Sequence, residues 1–104
     1  MARFVIPTRV KIRGKWWPVH QGVDLVPGTP AQPHTPLHGA CEDEKIYLSH
    51  KLVGRRLERV TFLHELLHAC STVGIIPPEL EEEFCSDVDS PLLTVLEHLE
   101  WTND

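Results

Sequence analysis

The first part of the chain alternates between apolar and polar residues with the two-residue period of a β-strand. In residues 8–22, which read TRVKIRGKWWPVHQG, Val10 and Ile12 alternate with basic residues before Gly14 interrupts the pattern. This arrangement predicts a β-hairpin whose turn lies near Gly14. Pro18 cannot donate a main-chain hydrogen bond, so we expect the second strand to lie at an edge or to end there.

A proline-rich polar segment, residues 21–44, follows the hairpin and shows no regular apolar pattern. Loops of this length are unusual in small domains and are often functional, so we expect an irregular segment that acts as a lid or borders a substrate. The apolar pattern returns in KIYLSHKL, residues 45–52. It predicts a third strand with Ile46 and Leu48 on one face.

The second half of the chain predicts two helices. The first, residues 54–73, is apolar on nearly all sides from Val60 onward, so we expect it to be buried, and Gly74 marks its end. The second begins near Pro78, and Pro91 is expected to kink or split it. We expect its apolar stripe to consist of Leu80, Phe84, Val88, Leu92, Val95, Leu96 and Leu99.

These elements predict one α+β domain that spans residues 1–104. The length suffices for one hydrophobic core and not for two. Residues 8–52 would supply a hairpin, the proline-rich loop and a third strand, which together form a small antiparallel sheet of about three strands. Residues 54–101 would supply the two helices. We expect the sheet to pack on the first helix, with the second helix C-terminal to it.

Charge is unevenly distributed along the chain. The formal net charge is −5, which argues against a general nucleic-acid binder, so nucleic acid is not an expected partner. Residues 1–20 contain five Lys or Arg and no acid, whereas residues 79–104 contain nine acids and no Lys or Arg. We expect these two regions to face each other in the fold. The alternative is a basic N-terminal strand that contacts a partner.

The three cysteines, Cys41, Cys70 and Cys85, show no CxxC spacing, and an odd number cannot pair completely within the chain. Cys70 and Cys85 lie in helical apolar patterns, so we expect buried thiols and a reducing compartment. Neither a signal-peptide pattern nor an apolar run of membrane-spanning length is visible. The sequence therefore predicts a cytoplasmic protein without membrane contact.

Three ionisable residues interrupt the apolar run of the first predicted helix. FLHELLHACS, residues 62–71, contains His64, Glu65 and His68. Two histidines four positions apart lie on one helical face, where their imidazoles can converge on one metal ion. Glu65 projects beside that ion and can accept a proton from a water bound to it. This is the His-Glu-x-x-His arrangement of zinc hydrolases.

A catalytic zinc site needs a third protein ligand and an open fourth position. A second helix that returns antiparallel after a short turn would bring Glu81, Glu82 and Glu83 opposite the two histidines. The helical wheel places Glu81 nearest to the apolar stripe. The number of residues that an antiparallel second helix needs to come level with the histidines favours Glu83. Glu82 lies between the two, so the residues alone leave three candidates.

Two stretches of the chain resemble one protein family. VTFLHELLHA, residues 60–69, and LEEEFCSDVDSPLLTVLEHLEW, residues 80–101, are similar to small phage and prophage zincin-like metallopeptidases. These are distantly similar to the ImmA/IrrE-type peptidases, and the resemblance covers most of residues 8–101. It implies a minimal zincin fold, a bound Zn²⁺, and Glu82 or a neighbour as the third ligand.

The second of these stretches departs from the family pattern at Cys85 and at Ser86-Asp87. Asp87 could hydrogen-bond a histidine that binds the metal. Glu83-x-x-Ser86-Asp87 also resembles the glutamate motif of the gluzincins, which keeps Glu83 open as a ligand.

The motif and the resemblance together predict a zinc metallopeptidase that hydrolyses peptide bonds. His64, His68 and Glu82 are the expected zinc ligands, and Glu65 is the expected general base. We expect a peptide or protein substrate that adds as an extended strand to a sheet edge near residues 45–49.

The alternative function is a non-catalytic module that zinc stabilises and that binds a partner protein. Coordination would distinguish the two, because four protein ligands, for instance with His38 or Cys41 added, favour a structural site. His34, His38 and His50 could also contact substrate or metal. For each of them, an ordinary loop or strand-end histidine is the more frequent case.

Overall fold

A computed structural model describes residues 4–25 and 38–98 and shows an α+β fold of four strands and two α-helices. The central part of the proline-rich segment, residues 26–37, lies outside the described residues, as does His34. The strands are β1 (Arg9–Ile12), β2 (Lys15–Val23), β3 (Gly39–Glu42) and β4 (Lys45–Ser49). The helices are α1 (Arg56–Thr72) and α2 (Glu81–Glu97), preceded by short 3-10 turns at His50–Leu52 and Pro78–Leu80.

Two-residue turns close both hairpins of the sheet. Arg13 and Gly14 connect β1 to β2, and Asp43 and Glu44 connect β3 to β4. All four residues have positive φ, between 48° and 82°. This backbone conformation is typical of the two-residue turns whose twist matches that of the flanking strands. The hairpin predicted around Gly14 is therefore confirmed. The second hairpin adds β3, a strand that the sequence analysis assigned to the loop.

The sheet has the strand order β1-β2-β4-β3, and β2 pairs with β4 in parallel. The prediction of a three-stranded antiparallel sheet was wrong on both points. Parallel neighbours need a long crossover connection, and the segment between β2 and β3 supplies that length. A further consequence is that β4 lies inside the sheet. The expected edge near residues 45–49 does not exist, and β3 takes that position.

One hydrophobic core lies between the sheet and α1. Ile46 and Leu48 of β4 are fully buried on the same face, as predicted, and they join Trp17 in a cluster with Phe62 and Leu63 of α1. Burying one such side chain stabilises the fold by roughly 1.5–3 kcal/mol. This packing fixes the rotation of α1 against the sheet, and so determines which α1 residues turn towards α2.

Helix α2 is continuous through Pro91, so the predicted alternative of a split helix was wrong, and the alternative of a kink stays a prediction. Its buried residues are Cys85 and Leu93, whereas Leu80, Phe84 and Val95 of the predicted stripe are 41–56% exposed. The helix is therefore rotated relative to the prediction. The carboxylates of Glu81, Glu82 and Asp89 lie on the face of α2 centred on Cys85, and the helix is rotated so that this face contacts the histidines of α1.

The described ion pairs do not link the acidic C-terminal region to the basic N-terminal region. Glu97 of α2 contacts Arg56 and Arg59 of α1, while Lys15 pairs with Glu44 at the end of the sheet. Among the described residues, no ion pair joins residues 4–20 to α2, and residues 99–104 lie outside them, so the expectation that the two regions face each other stays a prediction. Within the same residues, neither helix combines the length and apolarity needed to cross a membrane.

Candidate metal centre

Helix α1 places His64 and His68 one turn apart on the side that faces α2. The Nε2 atoms of the two imidazoles lie 3.0 Å apart, and both side chains are mostly buried. His64 and His68 therefore lie on one face of α1, as their four-residue spacing predicts. The two rings meet edge to face and point their Nε2 atoms at a common position.

Helix α2 brings a carboxylate to the same position. Oε1 of Glu82 lies 2.9 Å from Nε2 of His68, and one ligand atom from each of His64, His68 and Glu82 falls within 4.8 Å of the others. Glu82 and Glu83 are both exposed. Of the three candidates for a third ligand, Glu82 is the one whose carboxylate falls within this group among the described residues, because the short turn at residues 73–80 sets the register of α2 against α1.

Two further carboxylates face the opposite nitrogens of the histidines. Oδ2 of Asp89 lies 3.1 Å from Nδ1 of His64, and Oε1 of Glu81 lies 3.5 Å from Nδ1 of His68. A carboxylate at Nδ1 favours the tautomer with its proton there, because that N–H can donate to it. At His64 the Nε2 atom then presents its lone pair, whereas at His68 the nearer carboxylate, that of Glu82 at Nε2, favours a proton on Nε2.

Two imidazole nitrogens 3.0 Å apart need a proton or a cation between them. A proton could serve the two nitrogens, but the carboxylate of Glu82 converges on the same position and adds a third donor. A tetrahedral ion bound at 2.0–2.1 Å would space two nitrogens about 3.3 Å apart, close to the spacing found. The donor set of two imidazoles and one carboxylate therefore fits a zinc ion.

The group that supports His64 is Asp89, and not Asp87 as predicted. Asp87 is exposed, whereas Asp89 is partly buried against α1. Asp89 follows Glu82 by seven residues, so the two side chains lie on the same face of α2. This seven-residue spacing from a candidate ligand is the sequence signal that could have identified Asp89.

Replacing Asp89 by alanine is expected to weaken zinc binding by about 10–100-fold, the usual effect of removing a carboxylate that orients a metal-binding histidine. Competition with a chromogenic chelator measures the affinity. Asp87→Ala is the matched control, since it removes an equal charge from the same helix, and it should leave the affinity nearly unchanged. Equal losses in both variants would mean that only the net charge matters.

Zinc affinity should also distinguish the three neighbouring glutamates. Glu82→Ala removes a direct donor, so we expect a loss larger than the 10–100-fold typical of a supporting group. Glu81→Ala should fall within that smaller range. Glu83→Ala should leave the zinc affinity nearly unchanged, and it should lower the free energy of unfolding by no more than a few tenths of a kcal/mol, because it removes one charge from the first turn of α2. Chelator competition on all three variants measures the order, and a largest loss at residue 83 would contradict the observed register.

Glu65 lies beside the cluster, between α1 and the edge strand β3. It is only 7% exposed, and none of the described residues forms a hydrogen bond with its carboxylate. Burial raises its pKa above the ordinary value, an effect that His68 and His64 oppose and Glu82 reinforces. A carboxylate with a raised pKa is a stronger proton acceptor, which suits the predicted role of a general base.

Gly39 of β3 allows this close approach of strand and helix. A methyl group at this position would lie 2.8 Å from Cγ2 of Thr61, 3.0 Å from the main-chain oxygen of Tyr47 and 3.1 Å from Cγ of Glu65. No side chain fits without moving one of these neighbours. The sequence analysis missed Gly39, because its role depends on a contact between distant parts of the chain.

Gly39→Ala is expected to destabilise the fold by roughly 1–3 kcal/mol, the usual cost of overpacking. Thermal or urea unfolding measures this loss. Combining it with Thr61→Ser removes the closest contact, so the double variant should recover part of the stability. No recovery would mean that the main-chain oxygen of Tyr47 dominates the strain.

Of the remaining candidate ligands, those that the structure describes do not join the cluster. No donor atom of Cys41 or His38 belongs to the group of His64, His68 and Glu82 among the described residues. Burial, followed by the charges of nearby carboxylates, raises the pKa of the Cys41 thiol to about 12, so this thiol keeps its proton at neutral pH. His50 lies elsewhere, with Nδ1 3.3 Å from the carbonyl oxygen of Val23.

Comparison of the chain with protein-family models, curated proteins and solved structures found no match. The resemblance to zincin-like metallopeptidases therefore stays a prediction from the sequence motifs.

Proposed function

We propose that this protein is a zinc-dependent metallopeptidase in which His64, His68 and Glu82 hold the metal. One observation carries the proposal. Three donor atoms from two helices converge on one position, and a buried carboxylate, Glu65, lies next to it without a competing hydrogen bond from the described residues. Three protein ligands leave a position open for water and substrate.

Each residue of the cluster would have a separate task in peptide hydrolysis. A bound zinc would polarise the substrate carbonyl and lower the pKa of a bound water to about 7. Glu65 would accept the proton of the attacking water at its carboxylate and pass it to the leaving amine. Asp89 and Glu81 would hold the imidazoles of His64 and His68 in the orientation that binds metal.

The open edge of β3 is the place where an extended substrate would bind. The amide of Ser49 donates to the carbonyl of His38, and antiparallel partners alternate between bonded and non-bonded pairs. The N–H and C=O groups of Gly39 and Cys41 therefore point away from β4; Gly39 is buried and Cys41 is partly exposed. A peptide paired with Cys41 would run near Glu65, and this site replaces the strand addition near residues 45–49 that the sequence predicts.

The alternative, a non-catalytic zinc-stabilised partner-binding module, is the weaker proposal. A structural zinc site is closed by four protein ligands, whereas the described residues bring three donors together. The three unpaired cysteines of the chain fit a reducing compartment, so we propose a cytoplasmic location.

Incubation of the zinc-loaded protein with a mixed peptide library, followed by mass spectrometry, tests the proposed activity. We expect new peptide termini that disappear when a chelator removes zinc and return when zinc is added back. Tight zinc binding without any cleavage would contradict the peptidase and support the partner-binding module.

A further inference from the structure

A second exposed feature of the fold is the outer edge of β1, on the far side of the sheet from β3. The amide of Val19 donates to the carbonyl of Thr8, and Val10 and Ile12 are the next bonded positions in the register with β2. The main-chain groups of Arg9 and Lys11 therefore point away from the sheet. Pro18 lies opposite Arg9 in a non-bonded pair. Such a pair forms no hydrogen bond between its two residues, so the missing N–H of proline is tolerated there.

The same two residues carry cationic side chains that have no acidic partner among the described residues. The guanidinium of Arg9 lies 3.9 Å from the centre of the Trp16 ring, and the ammonium of Lys11 lies 5.5 Å from it. Trp16 is 47% exposed. Two cations and one tryptophan thus border an unpaired strand edge, and tryptophan and arginine are the side chains most often found at the centre of protein interfaces.

We propose that β1 binds an extended acidic segment of another protein by strand addition. Main-chain hydrogen bonds would form with Arg9 and Lys11, as in other complexes in which a peptide extends a sheet. Side chains two residues apart on such a segment lie on one face. Carboxylates at alternate positions would meet the two cations, and their methylene groups would pack on Trp16. This site is independent of the proposed peptidase activity.

Two different roles for the β1 edge would give different experimental results. Charged residues on an edge strand can act only to prevent pairing between copies of a protein, and in that case no peptide binds. A single-stranded nucleic acid could stack on Trp16 and contact the cations. We favour the acidic peptide because a nucleic acid lacks the regularly spaced main-chain N–H and C=O groups that extend a sheet.

The probe is a fluorescent twelve-residue peptide that alternates glutamate and valine. We expect saturable binding in an anisotropy titration, and slower hydrogen exchange at the amides of Arg9 and Lys11 when the peptide is bound. The control peptide has the same sequence with every main-chain nitrogen methylated. It keeps the charge but cannot donate to the strand edge, so it should bind at least about tenfold more weakly.

Variants of the protein separate this site from general electrostatic attraction. Arg9→Ala combined with Lys11→Ala should weaken peptide binding about tenfold at low salt, the range expected for two exposed charge pairs. Lys51→Ala combined with Arg55→Ala removes two exposed cations elsewhere and should have little effect. Unchanged exchange at Arg9 and Lys11 under saturating peptide would overturn the proposal. Tighter binding of oligothymidylate or oligouridylate to the same residues would also overturn it, in favour of nucleic acid.

Discussion

Replacing His64 and His68 together by alanine is expected to abolish stoichiometric zinc binding. The two Nε2 atoms, 3.0 Å apart, are two of the three donors that converge in the fold, and Glu82 alone would remain. Structural zinc sites with a full set of ligands contribute on the order of 10 kcal/mol at neutral pH, and a site left with one of its three donors should lose several orders of magnitude in affinity. Metal analysis after gel filtration, together with chelator competition, measures the loss.

The matched control for this variant removes two other histidines. His20 stacks on the ring of Tyr47 at the sheet surface, and His98 caps the end of α2 through the carbonyl of Thr94. The combination His20→Ala and His98→Ala should retain about one zinc per chain. Added zinc should raise the thermal stability of this control and of the wild type, because a ligand that binds only the folded state stabilises it. An unchanged zinc content in the variant that lacks His64 and His68 would contradict the assignment of the metal site to these residues.

Glu65→Gln is expected to abolish peptide hydrolysis while zinc content and fold are preserved. The amide has nearly the shape of the carboxylate, so the tight packing against Gly39 is kept, but it cannot accept a proton from water. Loss of a general base typically lowers the rate by about 10²–10⁴-fold. The rate constant on a cleaved peptide and the zinc content, measured on the same preparation, test both parts of the prediction.

Glu58→Gln is the matched control for Glu65→Gln. Glu58 is the other buried glutamate of α1, and its Oε1 accepts a hydrogen bond from the amide of Gly54 at 3.4 Å. A glutamine oxygen can accept the same bond, and the residue lies nearly two turns from Glu65, so hydrolysis should continue. Full activity in Glu65→Gln would show that another group accepts the proton.

Several parts of the fold could be predicted because they depend on neighbours in the chain. The period of two in residues 8–22 and the turn at Gly14 predicted the first hairpin, and the apolar run after Val60 predicted α1. β3 could not be recognised in the same way. Its residues, GACE, show no alternation of large apolar and polar side chains, and its strand pairing depends on a partner that the local sequence does not identify.

The sequence by itself determined that His64 and His68 share one helical face and that Glu65 projects beside them, because helix geometry places residues four apart in line. Only the tertiary structure decided which groups complete the site. The parallel pairing of β2 and β4 moved the open edge to β3, and the register of α2 selected Glu82 and Asp89. These outcomes depend on how rigid elements pack together. A shift of one residue in α2 would rotate its side chains by about 100° and bring a different carboxylate to the histidines.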